Sequence, residues 1–432
     1  MLVFKTMKYH YKNKNKETIS LLNLLCHISK NIYNVTLYYL RQSYFENKKI
    51  GTYFDVIKEI KSNENYHILN TYQSLCIIRN AYTNMMKYIK GKGCLPKYLS
   101  KNSYYPLITD QIRPILFQNK KCIKLPLSNL VRTGKVFKTT YEDHLIDKFL
   151  KESRLSKGKN IYFPIPKELY DKKIHQIRIV PKKEEYDIEF SYSTKNENKE
   201  NCSEDIVGID LGISNLMAIG TTKKEGFIID GKRLKSIYQY YNKQVAYYQS
   251  KLPKDIYHTK RLNHLERRLK SRVEDYLNKA VSQVMRYCKE EGIGKIVIGW
   301  NKRIKEGGIK NKKVKGKDKH KVNQSFCNIP LSRLKNKLIL KGEELGLIVE
   351  CINESYTSKC SFIDNDEITG NHYSGIRIKR GLYQTKEGYI INADMNAAFN
   401  MIRKYKSITK ESKYIGFMCR GLTNPSRVQV KL

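Results

Sequence analysis

Apolar positions recur at spacings of three and four early in the chain and give way to alternation farther on. Leu21, Leu24, Leu25, Ile28, Ile32 and Val35 predict one helix, and Leu75, Ile78, Tyr82, Met85, Met86 and Ile89 predict a later one. The helical region runs from about Ser20 to Lys92, where Gly91 and Gly93 stop it and Pro96 follows. A strand-like Leu2-Val3-Phe4-Lys5 and a basic stretch precede it. Between about Pro96 and Ser203, short β-rich segments alternate with turns: Cys122–Leu125, Asn160–Phe163, Ile177–Val180 and Tyr186–Phe190. They predict a small barrel, split by the helical insertion before it. Ser193–Glu204 is polar and reads as a linker.

From Ile206 onward the pattern is α/β. Val207–Leu211 and Asn215–Gly220 form a predicted hairpin, Phe227–Asp230 a strand, and Leu234 to Glu291 a long helical stretch. Ile296–Gly299 predicts a buried strand, Pro330–Glu344 a helix and Leu347–Ile352 a last strand. This is the element order of an RNase H-like domain. Within the long stretch, Leu262, Leu265, Leu269, Val273 and Leu277 make a core stripe, while Arg261, Arg267, Arg268, Lys270 and Arg272 occupy other faces. Glu266 and Glu274 are too few to pair those cations, so the helix is expected to contact phosphates.

Composition strengthens that expectation. Lys and Arg number 82 against 41 Asp and Glu, a formal net charge of +41. Self-repulsion at this level is relieved by a polyanion, and nucleic acid is the obvious one. A lysine-rich compositional bias alone does not explain why acidic residues fail to keep pace. Residues 302–321, which include Lys302, Arg303 and Lys305, form a basic run expected to order on a polyanion. The 33 tyrosines suit base stacking, without marking which ones stack. The ten cysteines include no Cys-x-x-Cys pair, so neither a disulfide framework nor a zinc site is indicated. No leader-like or membrane-spanning apolar run is present. The expected setting is a reducing, cytoplasmic one.

Candidate chemistry sits on carboxylates far apart in the chain. Asp210 ends the β-branched run Ile206-Val207-Gly208-Ile209, with Gly212 behind it, and Asp394 lies where Ile390-Ile391-Asn392 leads into a helix. Two such groups suit a divalent-metal site for phosphodiester hydrolysis, which normally wants a third. The usual place for it, the end of Ile296–Gly299, carries Gly299, which has no ligand to offer. Glu354, just past the neighbouring strand, is the candidate replacement, with Gly299 leaving room for it. Glu350 shares the strand parity but lies about 13 Å farther back at the rise of an extended strand. A blander account makes Asp394 a helix cap.

Taken together, these segments resemble TnpB, the transposon-encoded RNA-guided nucleases related to compact type V CRISPR effectors. Ile206–Leu216 matches the first RuvC motif of that family, Glu354-Ser355-Tyr356-Thr357-Ser358-Lys359-Cys360-Ser361 its "YTS-C" segment, and Asn392–Ile402 its third motif. The resemblance implies a wedge β-barrel (1–17 and 96–203 with linker) split by a helical recognition domain (18–95). A RuvC nuclease domain (204–354 and 391–432) follows, interrupted by a target-nucleic-acid-binding insert (355–390). It implies two Mg2+ ions held by Asp210, Glu354 and Asp394, an element-encoded guide RNA and target double-stranded DNA. It also implies a prokaryotic, nucleoid-associated protein and leaves open whether one or two copies bind each RNA. Tyr356, Ser358, Lys359, Arg377, Lys379 and Arg380 become candidate nucleic-acid contacts. Paired zinc-ribbon cysteines are missing, so no zinc is expected, and the insert is expected to be a mini-fold held by Phe362, Ile376, Leu382 and Tyr383. The alternatives are a nuclease-inactive, RNA-guided DNA-binding transcriptional regulator, which the absent acidic residue at position 299 favours, and a strand-joining transposase.

Overall fold

The computed structural model describes residues 2–11, 15–133, 144–153, 160–182, 185–195, 203–253, 256, 259–301, 329–370, 372–379, 381–409 and 421–430. Arg380 and the basic run with Lys302, Arg303 and Lys305 lie outside these residues. The chain divides into two compact units, residues 1–196 and 197–432.

The first unit opens on β1 (Leu2–Tyr11) and the 32-residue α1 (Lys16–Asn47), whose start is capped by the Asn15 side chain accepting from the N–H groups of Glu17 and Thr18. Shorter helices α2 (Tyr53–Lys61), α3 (Glu64–Ile68) and α4 (Thr71–Ile89) follow. Reciprocal capping boxes, Thr52 with Asp55 and Asn70 with Gln73, start α2 and α4. Strands β2 (Leu107–Thr109), β3 (Pro114–Phe117) and β4 (Lys120–Lys124) come next. Two helices absent from the sequence reading, α5 (Asn129–Thr133) and α6 (His144–Ser153), then intervene. Ile146, Phe149 and Leu150 bury one face of α6, a stripe too short to stand out among strands. The unit ends with β5 (Tyr162–Pro164), β6 (Lys173–Lys182) and β7 (Glu185–Lys195).

Among the described residues these strands form two sheets, β1-β7-β6-β2 and β3-β4-β5, rather than a continuous ring of paired strands. β1 pairs antiparallel with β7 along its whole length, from Leu2 opposite Lys195 to Tyr11 opposite Tyr186, so the strand is longer than Leu2–Lys5 suggested. Both sheets share one core with the helices, through residues such as Leu21, Ile28, Ile77, Phe163, Ile179 and Phe190.

The second unit is built on a six-stranded sheet. Its members are β8 (Ile206–Leu211), β9 (Asn215–Thr221), β10 (Phe227–Asp230), β11 (Lys295–Gly299), β12 (Ile348–Ile352) and β16 (Ser426–Val428). The order is β12-β11-β8-β9-β10-β16. β9 runs antiparallel to β8 and β10, while β11 is parallel to β8 and β12 parallel to β11. The strands predicted from the sequence are found in that arrangement, with β16 as an addition at the edge.

One face of the sheet packs on α8 (Lys260–Glu290) and α9 (Leu331–Glu344), which bury Val273, Leu277, Val284, Leu334 and Leu338 against Val207 and Ile209. The opposite face packs on α10 (Ala393–Thr409), whose Ala398, Phe399 and Ile402 meet Ile206, Ala218 and Val297. The alternation of faces along β8 is the period-two consequence of strand geometry. α10 can lie this close because β8 carries Gly208: a Cβ there would sit 2.4 Å from the carbonyl oxygen of Ala398. The expected single helical stretch from Leu234 is in fact α7 (Lys232–Gln249) and α8, separated around Pro253, which cannot supply the N–H that helix continuation needs. A small antiparallel sheet, β13 (Ile376–Lys379), β14 (Leu382–Gln384) and β15 (Ile390–Asn392), leads into α10.

Candidate active site

Asp210 is the fifth residue of β8, paired across the hairpin with Ala218. Its neighbours Ile209 and Leu211 point into the core, so strand alternation turns the carboxylate away from it. Asp394 lies in the first turn of α10, but it is not the cap. Asn392 caps this helix, its Oδ1 accepting from the N–H groups of Asp394 and Met395, both at 3.1 Å. The aspartate is thereby left for other work.

Glu354 stands two residues beyond the end of β12, on a loop with a fixed backbone. Its carbonyl accepts from the Thr357 hydroxyl at 2.8 Å, and the Asn353 side chain accepts from the Ser355 N–H and hydroxyl at 3.0 and 2.6 Å. From α10, Lys404 donates to the Ser355 carbonyl at 2.9 Å. All three carboxylates line one cleft of about 760 Å³, together with Asn215, Lys232, Arg377 and Arg427. Glu350 is elsewhere: it is exposed and accepts from the Tyr405 hydroxyl.

The electrostatics fit a cation. Asp210 reaches the cleft only in part, and burial pushes its carboxyl up to about 8; the charges of Asp394 and Glu354 push in the same direction, and Arg377 opposes them. Burial also raises Glu354. Like charges that hold each other's protons on are what a divalent ion relieves, and carboxylate oxygens are the donors Mg2+ prefers. Among the described residues no group of three or more His, Cys, Asp or Glu side chains forms a ready-made cage. Side-chain partners occupy Asp394 instead: Asn215 donates to Oδ2 at 2.7 Å, and Arg377 lies 3.7 Å from Oδ1.

Gly299 plays a broader part than making room for Glu354. A Cβ at 299 would meet the Met401 side chain at 2.2 Å and the Cβ of Glu354 at 3.4 Å. The space is therefore filled first by Met401 from α10 and only then bordered by Glu354.

The insert is fastened to α10 by two fully buried asparagines. Asn396 donates to the Cys360 carbonyl at 2.7 Å and accepts from the Phe362 N–H at 2.8 Å. Asn400 donates to the carbonyls of Thr357 and Cys360 at 3.0 and 2.8 Å. Asp366 ties the insert internally by accepting from the N–H groups of Ser361 and Ser374. Phe362 and Tyr383 are buried and Leu382 half-buried, but Ile376 is 66% exposed. β13 is an edge strand whose four residues all face solvent, so Ile376 does not hold the fold as expected.

The sequence-predicted nucleic-acid contacts separate into groups. Arg377 and Ser358 line the cleft, as does Tyr356, 46% exposed and packed by its ring edge on Gly370. Lys359 is exposed with its ammonium 5.8 Å from the Tyr373 ring, and Lys379 is exposed on β13. On α8, Arg268 and Arg272 are exposed, Arg267 is half-buried, and Arg261 stacks over Tyr248 at 5.3 Å. Lys270 pairs with Glu266 at 2.6 Å, and Glu274 is drawn to Arg333 and Lys337 of α9. Of the five cations named from the sequence, Glu266 therefore pairs with Lys270 as its i,i+4 neighbour, while Glu274 is spent on the neighbouring helix. Sequence reasoning missed Asn215, which donates to Asp394, and Arg427, which donates to Asn215.

Comparison with known proteins bears on this arrangement. Residues 189–305 match the OrfB_IS605 family, described as "Probable transposase", and residues 332–401 match the Cas12f1-like TNB domain. These matches support a TnpB-like protein. The two matched segments of the TnpB-like chain carry Asp210, Glu354 and Asp394 between them. Its fold is similar to that of a Cas12f1 solved by cryo-EM with sgRNA and target DNA: TM-score 0.56 at 13% identity, over 89% of this chain and 82% of that one. The mini RNA-guided endonuclease Cas_phi3 gives a TM-score of 0.43 at 11% identity, over 93% and 92%. No curated protein matches in sequence. Among the described residues, no helix of the TnpB-like chain is long and apolar enough to cross a membrane.

Proposed function

We propose that this TnpB-like chain is an RNA-guided DNA endonuclease of a mobile element, with Asp210, Glu354 and Asp394 holding two Mg2+ ions. The observation that carries this reading is the meeting of three carboxylates, from a strand, a loop and a helix, in one cleft, where burial and then the charges of Asp394 and Glu354 raise the Asp210 carboxyl. Such ions, when bound, activate water and stabilise the leaving oxygen of a phosphodiester.

The chain's own groups handle the rest. Asp210 keeps its proton while the cleft lacks a cation and gives it up when a positive charge enters. Arg377, exposed at the rim, offers its guanidinium to a backbone phosphate and so draws the strand toward the acids. Ser358 and Tyr356 line the same wall. Sequence choice belongs to pairing between the guide RNA and target DNA, with the protein holding backbones. The exposed cations of α8, and those of residues 302–321, serve that purpose.

Incubating the copurified ribonucleoprotein with matched plasmid and Mg2+ tests the reading. Asp210→Ala is expected to lower cleavage by more than about a hundredfold, beyond the loss that even an outer ligand partner causes, with RNA and target binding retained. Cutting that persists in that variant overturns the assignment. The absence of a carboxylate at Gly299 favours the rival, a nuclease-inactive RNA-guided regulator, and target binding without cutting by the unaltered ribonucleoprotein would establish it.

A further inference from the structure

We propose that Arg427, on the strand that closes the sheet at its edge, is a positioning residue for the carboxylate of Asp394 and acts through Asn215. The proposal rests on the nuclease reading, because it assigns Arg427 a role in how Asp394 is presented to a metal ion. β16 lies parallel to β10, with Arg427 opposite Ile228, and β10 in turn places Asp230 opposite Asn215 of β9. Three adjacent strands thereby bring Arg427, Asp230 and Asn215 to one corner of the cleft.

Hydrogen-bond chemistry fixes the direction of each contact. Arg427 donates to the Asn215 Oδ1 at 2.9 Å, and the Asn215 Nδ2 donates to the Asp394 Oδ2 at 2.7 Å. A guanidinium has donors only, so the amide must show it oxygen, and its NH2 is then left for the carboxylate. Turned over, the amide would set N–H against N–H on one side and oxygen against oxygen on the other. Arg427 is itself held by Asp230, whose Oδ1 lies 3.7 Å away and whose other oxygen accepts from the Lys232 N–H at 3.1 Å. The consequence for Asp394 is specific: a neutral donor orients one oxygen without cancelling the charge, and the other oxygen faces the cleft beside Arg377. Outer partners of this kind commonly set both the orientation and the affinity of a ligand.

The test uses the full chain purified free of RNA and Mn2+ as the probe, with free Mn2+ followed by its EPR signal and Asp210→Ala defining background binding. Arg427→Gln is expected to weaken Asp210-dependent Mn2+ binding by about tenfold, in the range for loss of an outer partner. Arg427→Lys, which keeps a donor-only cation against the amide, restores most of it. In the ribonucleoprotein, Arg427→Gln should raise the Mg2+ concentration needed for cleavage while leaving target affinity and the rate at saturating Mg2+ near wild type. Wild-type Mn2+ affinity in Arg427→Gln overturns the proposal alone. A lysine variant as weak as the glutamine variant also overturns it, because Arg427 would then serve only to close the sheet edge. No Asp210-dependent binding in the unaltered protein overturns the nuclease reading and this one together.

Discussion

Asp210 and Glu354 face the same cleft from supports of different kinds. Asp210 belongs to a strand flanked on both sides by partners, with β9 antiparallel and β11 parallel to it, so its backbone cannot move without breaking the central ladder. Glu354 has left the sheet. Its place is set by the Thr357 hydroxyl, the Asn353 turn, and the lysine and asparagines that α10 sends to the following residues. A strand-held group is as stable as the domain, whereas a loop-held group is only as stable as a few hydrogen bonds. Position and stability are therefore coupled at Asp210 and separable at Glu354.

Three substitutions would break or sharpen that contrast. The largest effect is expected from Gly208→Ala, because the added carbon meets a backbone carbonyl that cannot rotate away. A loss of about 3 kcal/mol is expected, with cleavage falling in step with the folded fraction, as measured by denaturant unfolding and plasmid cutting on the same preparations. Asn400→Ala comes next. It removes one donor from two buried carbonyls and should cost about 1–3 kcal/mol. Here cleavage should fall further than the lost stability accounts for, since the loop behind Glu354 is released. Cleavage that tracks stability would mean the loop holds itself.

The third concerns protons. The Asp210 carboxyl is raised above its ordinary value, so the stability of the metal-free protein is full where the carboxyl is protonated in both the folded and unfolded states. That contribution is lost as pH rises from about 4 toward about 8, where the folded form ionises. Asp210→Asn escapes the loss. Its thermal midpoint should exceed that of the unaltered metal-free protein by a few degrees at pH 9 and by less at pH 6. A gain that shrinks as pH rises would contradict the sign. Saturating Mg2+ should narrow the gap, because an ion favours the ionised acid.

Much of the second unit was legible because its central strands are buried on both faces and appear as short β-branched runs between turns. Val207–Leu211 and Ile296–Gly299 were found for that reason, and the order of elements then placed Asp210, Glu354 and Asp394 near one another. The residues that hold those acids were not legible. Asn215 and Arg427 stand 212 positions apart, and nothing local marks them as partners. Asn396 and Asn400 fell within the third-motif match, but only the structure reveals which carbonyls they face. Ile376 was expected to be core because it is apolar, but an edge strand with one neighbour leaves even isoleucine in solvent. Glu274 was counted as counter-charge for its own helix, but it turns to two cations of α9 and leaves that helix with less still.

The bare Cα of Gly208 acts as a gauge. One aspartate rides two residues along from it, and the other rides one turn before the alanine that rests on it. The approach of the two main chains that carry those acids is thus set by backbone against backbone. Every other residue would bring a side-chain carbon into that seam.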